Sequence, residues 1–263
     1  VSAHVLAHGR YGRMLVNRND LYVGEAHLHC GEYGEAEVSC LRSLVRPGDH
    51  LVMCGANIGS LVVPLAQAIG REGRVLAFEP QRHVFTLLCA NIALNNCHHV
   101  EAFRYAVGAD RGLVRIPLLD PDQKINAGGV SVGAGDDAVP CLSIDSMQLQ
   151  RVDLLQADVE GSEYAVLTGA ADTIAQHHPV LYLEADRPEQ RGAMLTWLVD
   201  AGYEVYEHTP PLWNPDNFLQ ETEVRWKDVV SINWLCIHPD NPREIPESAH
   251  LVALWPTRGD NGE

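Results

Sequence analysis

The most constraining stretch of the chain is Gly55-Ala56-Asn57-Ile58-Gly59, set between an apolar run at 50–54 and an amphipathic segment at 58–69. Glycine lets a backbone turn sharply and approach a ligand closely, and a helix starting after such a turn offers unpaired N–H donors. Ile58, Leu61, Val62, Leu65 and Ile69 fall on one helical face, so the segment reads as strand, turn, helix. A second apolar run at 74–78 ends at Glu79, twenty residues after Gly59. In a doubly wound sheet an acid at that point can hold a ribose diol. The combination predicts a site for an adenosine-containing cofactor, the alternative being an ordinary strand–helix turn with a surface acid. A dinucleotide site has a second glycine where this chain has Asn57. An asparagine there crowds a pyrophosphate but can hydrogen-bond an amino acid moiety, which favours S-adenosyl-L-methionine over NAD.

The same alternation runs through much of the chain. Further strands are predicted at 100–106, 152–157, 180–184, 203–207 and 229–237, and further helices at 82–94, 162–176 and 189–201. Seven strands with interleaved helices predict an α/β fold, a doubly wound and mostly parallel sheet. The last two strands have no helix between them, so an antiparallel member near one edge is expected. Residues 107–143, rich in Gly, Asp and Pro, break the rhythm; β-like pieces at 113–118 and 138–142 suggest a hairpin or a cover over the sheet's rim. An N-terminal extension at 1–48 is expected to hold a hairpin around Asn17-Arg18-Asn19-Asp20 and a helix at 35–45. The main domain is placed at 49–238, and 239–263 reads as a polar, peripheral tail.

Charge narrows the function. With 19 basic against 35 acidic residues the net charge is −16, and no basic stripe interrupts it. Such a surface repels nucleic-acid phosphates and anionic membranes, so neither is an expected partner. No apolar run reaches the length of a membrane-spanning helix, and no signal peptide is visible. The seven cysteines include no CxxC pair and sit mostly in apolar runs, which predicts reduced thiols and a cytoplasmic setting. The His98-His99 and His177-His178 doublets lack zinc-ligand spacing to a cysteine pair, and no metal site is expected.

Over residues 20–237 the chain resembles the FkbM-type S-adenosylmethionine-dependent methyltransferases. The resemblance is carried by Gly55-Ala56-Asn57-Ile58-Gly59, Ala77-Phe78-Glu79-Pro80, Asn91 and Asn95, and Ala106-Val107-Gly108. It continues in Asp158-Val159-Glu160-Gly161-Ser162-Glu163, residues 179–184, Asn214-Pro215-Asp216-Asn217 and Ser231-Ile232-Asn233. It implies a seven-stranded class I methyltransferase sheet, Rossmann-like, and usually O-methylation of sugars or secondary metabolites. Gly55, Ala56, Asn57, Gly59, Glu79, Pro80, Ala106, Val107 and Asp158 would then bind S-adenosyl-L-methionine. Where the family usually has an acid this chain has Met53, where it often has His-Thr this chain has Leu61-Val62, and a usual lysine is Gln156. These losses of polarity predict weaker cofactor binding. A catalytically silent binding protein is therefore the alternative reading, with an NAD-dependent oxidoreductase as a third.

Methyl transfer requires an aligned acceptor and a group to take its proton. Asp158 and Glu160, closing the fourth strand, and Glu184, closing the fifth, are the candidate catalytic residues. Strand alternation would put Asp158 and Glu160 on one side. Structural alternatives are a helix-capping role for Glu160 and a solvated strand end for Glu184. A cation shared by Asp158 and Glu160 has no third obvious ligand in the sequence. Glu32-Tyr33, the loop 126–131 and Pro210-Pro211-Leu212-Trp213 are weaker candidates for covering the cofactor or lining the acceptor pocket. The expected partner is a small-molecule or glycan hydroxyl; the oligomeric state is not readable.

Overall fold

The computed structural model describes residues 2–223, 225–246 and 251–255. The chain opens with an antiparallel hairpin, β1 (His4–Gly9) and β2 (Gly12–Asn17), then helices α1 (Val23–His29) and α2 (Glu35–Leu44). An α/β run follows: β3 (His50–Cys54), α3 (Val62–Ile69), β4 (Arg74–Phe78), α4 (Arg82–Leu94) and β5 (Val100–Phe103). Three short strands come next: β6 (Ala106–Val107), β7 (Gly112–Ile116) and β8 (Asp137–Leu142). The second half holds β9 (Leu154–Ala157), α5 (Glu163–Thr168), α6 (Ala171–His177), β10 (Val180–Glu184), α7 (Pro188–Asp200), β11 (Glu204–His208), β12 (Asn233–Ile237) and β13 (Leu251–Trp255).

The main sheet has the order β13-β11-β12-β10-β9-β3-β4-β5. Strands β5, β4, β3, β9 and β10 run parallel, and β12 inserts antiparallel between β10 and β11. This is the expected seven-stranded arrangement, enlarged by β13 against β11. Successive residues of each strand serve opposite layers. Leu51 and Met53 of β3 pack with α2, α3 and α4, whereas Val52 and Cys54 pack with α5, α6 and α7. The sheet is thereby buried on both faces. Between β3 and β9 the connections change direction, which opens a crevice at the carboxyl ends of the central strands.

Several boundaries differ from the sequence expectation for physical reasons. The helix expected at 58–69 begins at Val62 because Asn57 (φ 48°) and Gly59 (φ 96°) hold left-handed conformations that no α-helix accepts. The helix expected at 162–176 breaks after Thr168, where a Cβ on Gly169 would meet the Gly108 carbonyl oxygen at 2.1 Å. The strand expected at 100–106 is split, with Ala106 and Val107 pairing instead with β8 in a separate sheet of order β6-β8-β7. The N-terminal hairpin turns at Arg10-Tyr11, not at 17–20. There the Asp20 carboxylate accepts the Tyr22 and Val23 N–H groups and opens α1, so the Asn/Asp cluster makes a side-chain turn into a helix.

Two clamps tie the extensions to the sheet. The Asn91 side chain, fully buried, accepts the Leu15 N–H and donates to the Leu15 and Ile58 carbonyls, joining β2 to the glycine turn. Arg243 donates from Nη2 to both Asp49 carboxylate oxygens at 2.7 Å in a buried ion pair, tying the segment after β12 to the start of β3. No helix among the described residues is long and apolar enough to cross a membrane.

Candidate functional site

The crevice holds a cavity of about 230 Å³. One wall is the glycine turn. Gly55 stands at φ 81°, and a Cβ there would lie 1.7 Å from the Asp158 carbonyl oxygen. Its N–H and that of Ala56 donate to the Phe78 carbonyl at 3.0 and 2.9 Å, so the turn is stitched between neighbouring strands. Gly55→Ala is expected to cost about 3 kcal/mol or more, from left-handed strain plus a forced strand separation. Thermal unfolding should show it as a Tm lowered by roughly 6–12 °C.

Glu79 lies at the end of β4, 4% exposed. Its two carboxylate oxygens accept the Asn57 N–H at 3.0 Å and the Gln81 N–H at 2.8 Å. Burial pushes its pKa up to about 7 against the lowering effect of those two bonds. Gln81 in turn donates to the Ala127 carbonyl at 2.7 Å and so holds the 126–131 loop as a rim. Asn126, Gly128, Gly129 and Val130 line the cavity from that loop. Its Gly128 stands where a Cβ would meet Asn57 Nδ2 at 3.3 Å.

Ala56, Asn57, Pro80, Ala106, Val107 and Asp158 also reach the cavity wall. Gly59 does not; it packs behind the wall, a Cβ there falling 3.1 Å from Leu88 of α4. Of the positions that lost polarity, Met53, Leu61 and Gln156 face the cavity and Val62 is buried in the core. Tyr33 lines the cavity, but Glu32 is turned away, bound by Arg10 at 2.7 Å, Asn214 at 2.6 Å and the Phe218 N–H at 3.0 Å. The late Asn-Pro-Asp-Asn segment thus closes over the N-terminal extension. Leu212 lines the cavity; Trp213 does not.

The acidic wall is assembled by β9 and β10. Strand β9 ends at Ala157, so simple alternation does not extend to Glu160, whose φ is 55°. The loop is instead shaped by Glu163, whose carboxylate accepts the Val159 and Gly161 N–H groups. No side chain caps α5, and Glu160 pairs instead with Arg187 at 2.7 Å. One carboxylate oxygen each from Asp158, Glu160 and Glu184 lies within 4.8 Å of the others. Glu184 joins the other two acids because adjacency of β9 and β10 brings it in. Asp158 is pushed up by burial, then by Glu160, Glu37 and other acids. Burial, then Asp158 and Glu160, push Glu184 up to about 10.

Further polar groups line this cavity that sequence reasoning missed. Glu37 of α2 is 9% exposed and pushed up to about 7 by burial. It lies on the helical stripe of Leu41 and Leu44, and a charge on an apolar stripe is the signal that could have found it. Ser60 is hydrogen-bonded to buried His27 at 2.8 Å, and burial lowers that imidazole to about 4, so it is neutral at pH 7. Asn233, the register partner of Glu184, completes the wall.

The Methyltransferase FkbM domain matches residues 54–205, more than half of the chain. The protein belongs to the FkbM methyltransferase family. Three solved structures set the fold in context. The FkbM methyltransferase of Methylobacillus flagellatus KT superposes with a TM-score of 0.49 at 18% identity, over 72% of this chain and 43% of that one. Trm5b of Pyrococcus abyssi gives 0.50 at 11% identity, over 90% and 56%. M. jannaschii TYW2, in complex with AdoMet, gives 0.45 at 14% identity, over 90% and 86%. This FkbM chain therefore spans less than two thirds of the first and second of these proteins. No curated protein sequence matches it. The family's matched region begins at Cys54 and ends at Val205, taking in the glycine turn, Glu79 and all three clustered acids.

Proposed function

We propose that this methyltransferase uses S-adenosyl-L-methionine to methylate a hydroxyl group of a sugar or other small molecule. The carrying observation is one cavity that joins the Gly55 turn and Glu79 at one side to Asp158 and Glu184 at the other. The residues present fit the cofactor: the turn at Gly55, Ala56 and Asn57 lines the cavity, and Glu79 offers a buried carboxylate for a ribose diol. Ala106, Val107 and Pro80 supply an apolar wall beside it. When bound, S-adenosyl-L-methionine supplies a methyl group already activated as a sulfonium.

The chain's own task is then positioning and proton transfer. Asp158 accepts the acceptor's hydroxyl proton, and its partly desolvated, acid-crowded setting strengthens it as a base. Glu184 hydrogen-bonds the acceptor beside it, and Glu160, held by Arg187, fixes the far edge of the pocket. The −16 net charge argues for a small-molecule or glycan acceptor over nucleic acid or an anionic membrane. The seven thiols, none in a disulfide, favour a cytoplasmic setting.

Met53 at the wall favours a second reading, a binding protein that kept the fold without turnover. Incubation with S-adenosyl-L-methionine and a panel of monosaccharide and phenolic acceptors separates the two. Acceptor-dependent S-adenosylhomocysteine is expected; its absence with every acceptor would favour the silent reading.

A further inference from the structure

The acidic wall holds more carboxyl groups than one proton transfer uses. Three carboxylate oxygens, from Asp158, Glu160 and Glu184, converge within 4.8 Å. Arg187 binds one Glu160 oxygen at 2.7 Å, whereas Glu184 Oε2 is buried without a hydrogen-bond partner. Independently of the acids, a buried amide on the same wall is unsatisfied. Gln156, 2% exposed on β9 and two residues before Asp158, has no donor for its Oε1. A buried polar atom left unpaired costs about 1–3 kcal/mol, so such atoms mark a place where a ligand belongs.

We propose that Asp158, Glu160 and Glu184 bind a divalent cation of the Mg²⁺, Mn²⁺ or Ca²⁺ class at the acceptor end of the cavity. The donors are all oxygens, which selects hard cations over zinc or copper. Ligand oxygens at about 2.1–2.5 Å from one ion stand roughly 3–5 Å apart, which the three carboxylates already satisfy. A carboxylate trio binds such an ion in place of the counter-charge that Arg187 alone supplies. Gln156 Oε1 then accepts a hydrogen bond from one of the remaining ion-bound waters. The site is built by the chain alone and stands whether or not the methyl acceptor is a hydroxyl. With a hydroxyl acceptor, the ion draws two neighbouring oxygens into register and lowers the proton affinity of the one that reacts.

The test is calorimetric titration of the full, chelator-stripped chain with MgCl₂, MnCl₂ and CaCl₂ separately, without cofactor or acceptor. One ion per chain with a Kd between about 10 µM and 1 mM is expected for at least one of them. Glu184→Gln should weaken that binding about tenfold or more, while Glu72→Gln, on an exposed turn, should not. Since Glu184→Gln keeps the side chain's size and adds no charge to a crowded acidic trio, its ion-free Tm should equal or exceed that of the parent, which separates lost ligation from lost folding. Glu160→Gln serves as the second variant. Absence of saturable binding at about 10 mM of all three ions, or equal binding by both variants and the parent, overturns the proposal.

Discussion

Asp158→Asn is expected to lower kcat by about 10²–10⁴-fold with KM for the acceptor changed far less, because general-base transfer contributes that much. The substitution keeps size and removes the group that takes the proton. Its backbone is independently fixed: the Asp158 N–H donates to the Cys54 carbonyl at 3.0 Å, and its own carbonyl packs on Gly55. The variant should therefore fold as the parent does. Single-turnover measurement of S-adenosylhomocysteine formation checks this. Turnover equal to the parent's would remove Asp158 from the chemistry.

Glu79→Ala should weaken S-adenosyl-L-methionine binding by about 100-fold, since two hydrogen bonds to a buried carboxylate are worth about 3 kcal/mol together. The pH dependence adds a sharper signature. Ribose hydroxyls donate best to the ionised carboxylate, and burial holds Glu79 near a pKa of about 7 in the empty protein. Affinity should then fall about tenfold per pH unit below that value, a slope that Glu79→Gln abolishes. Stability moves in the opposite sense. A carboxyl whose folded pKa lies above its unfolded one favours folding while protonated. That contribution is complete at low pH and is lost as pH rises through the window from 4.5 to about 7. Glu79→Gln should flatten the Tm profile across that window, with an amplitude on the order of 3 kcal/mol.

What could be read from the sequence was whatever a local pattern enforces. The runs at 50–54, 74–78 and 180–184 are apolar on both faces because their strands are covered on both sides. Gly55 and Glu79 were visible because turn geometry and strand end fix them within a single β–α–β unit. What stayed hidden depended on strand order or on distant partners. Glu184 meets Asp158 because β10 lies beside β9, and Asn233 joins them because β12 is inserted between β10 and β11. Asp20 looked like a hairpin residue, since the same side chain that turns a hairpin can open a helix. Residues 251–255, expected in a polar tail, become an edge strand because β11 leaves an unpaired edge for them. Glu37 was hidden by its helix, and only the cavity beside it explains a carboxyl on an apolar stripe.

The central claim is that the Gly55 turn and Glu79 form a working cofactor site even with Met53 in its wall. Calorimetric titration at pH 8 with S-adenosyl-L-methionine, and separately with S-adenosylhomocysteine, tests it most directly. The account predicts one site with a Kd of about 1–100 µM for at least one of the two. No heat of binding for either at about 1 mM would contradict it and leave a methyltransferase fold without its cofactor.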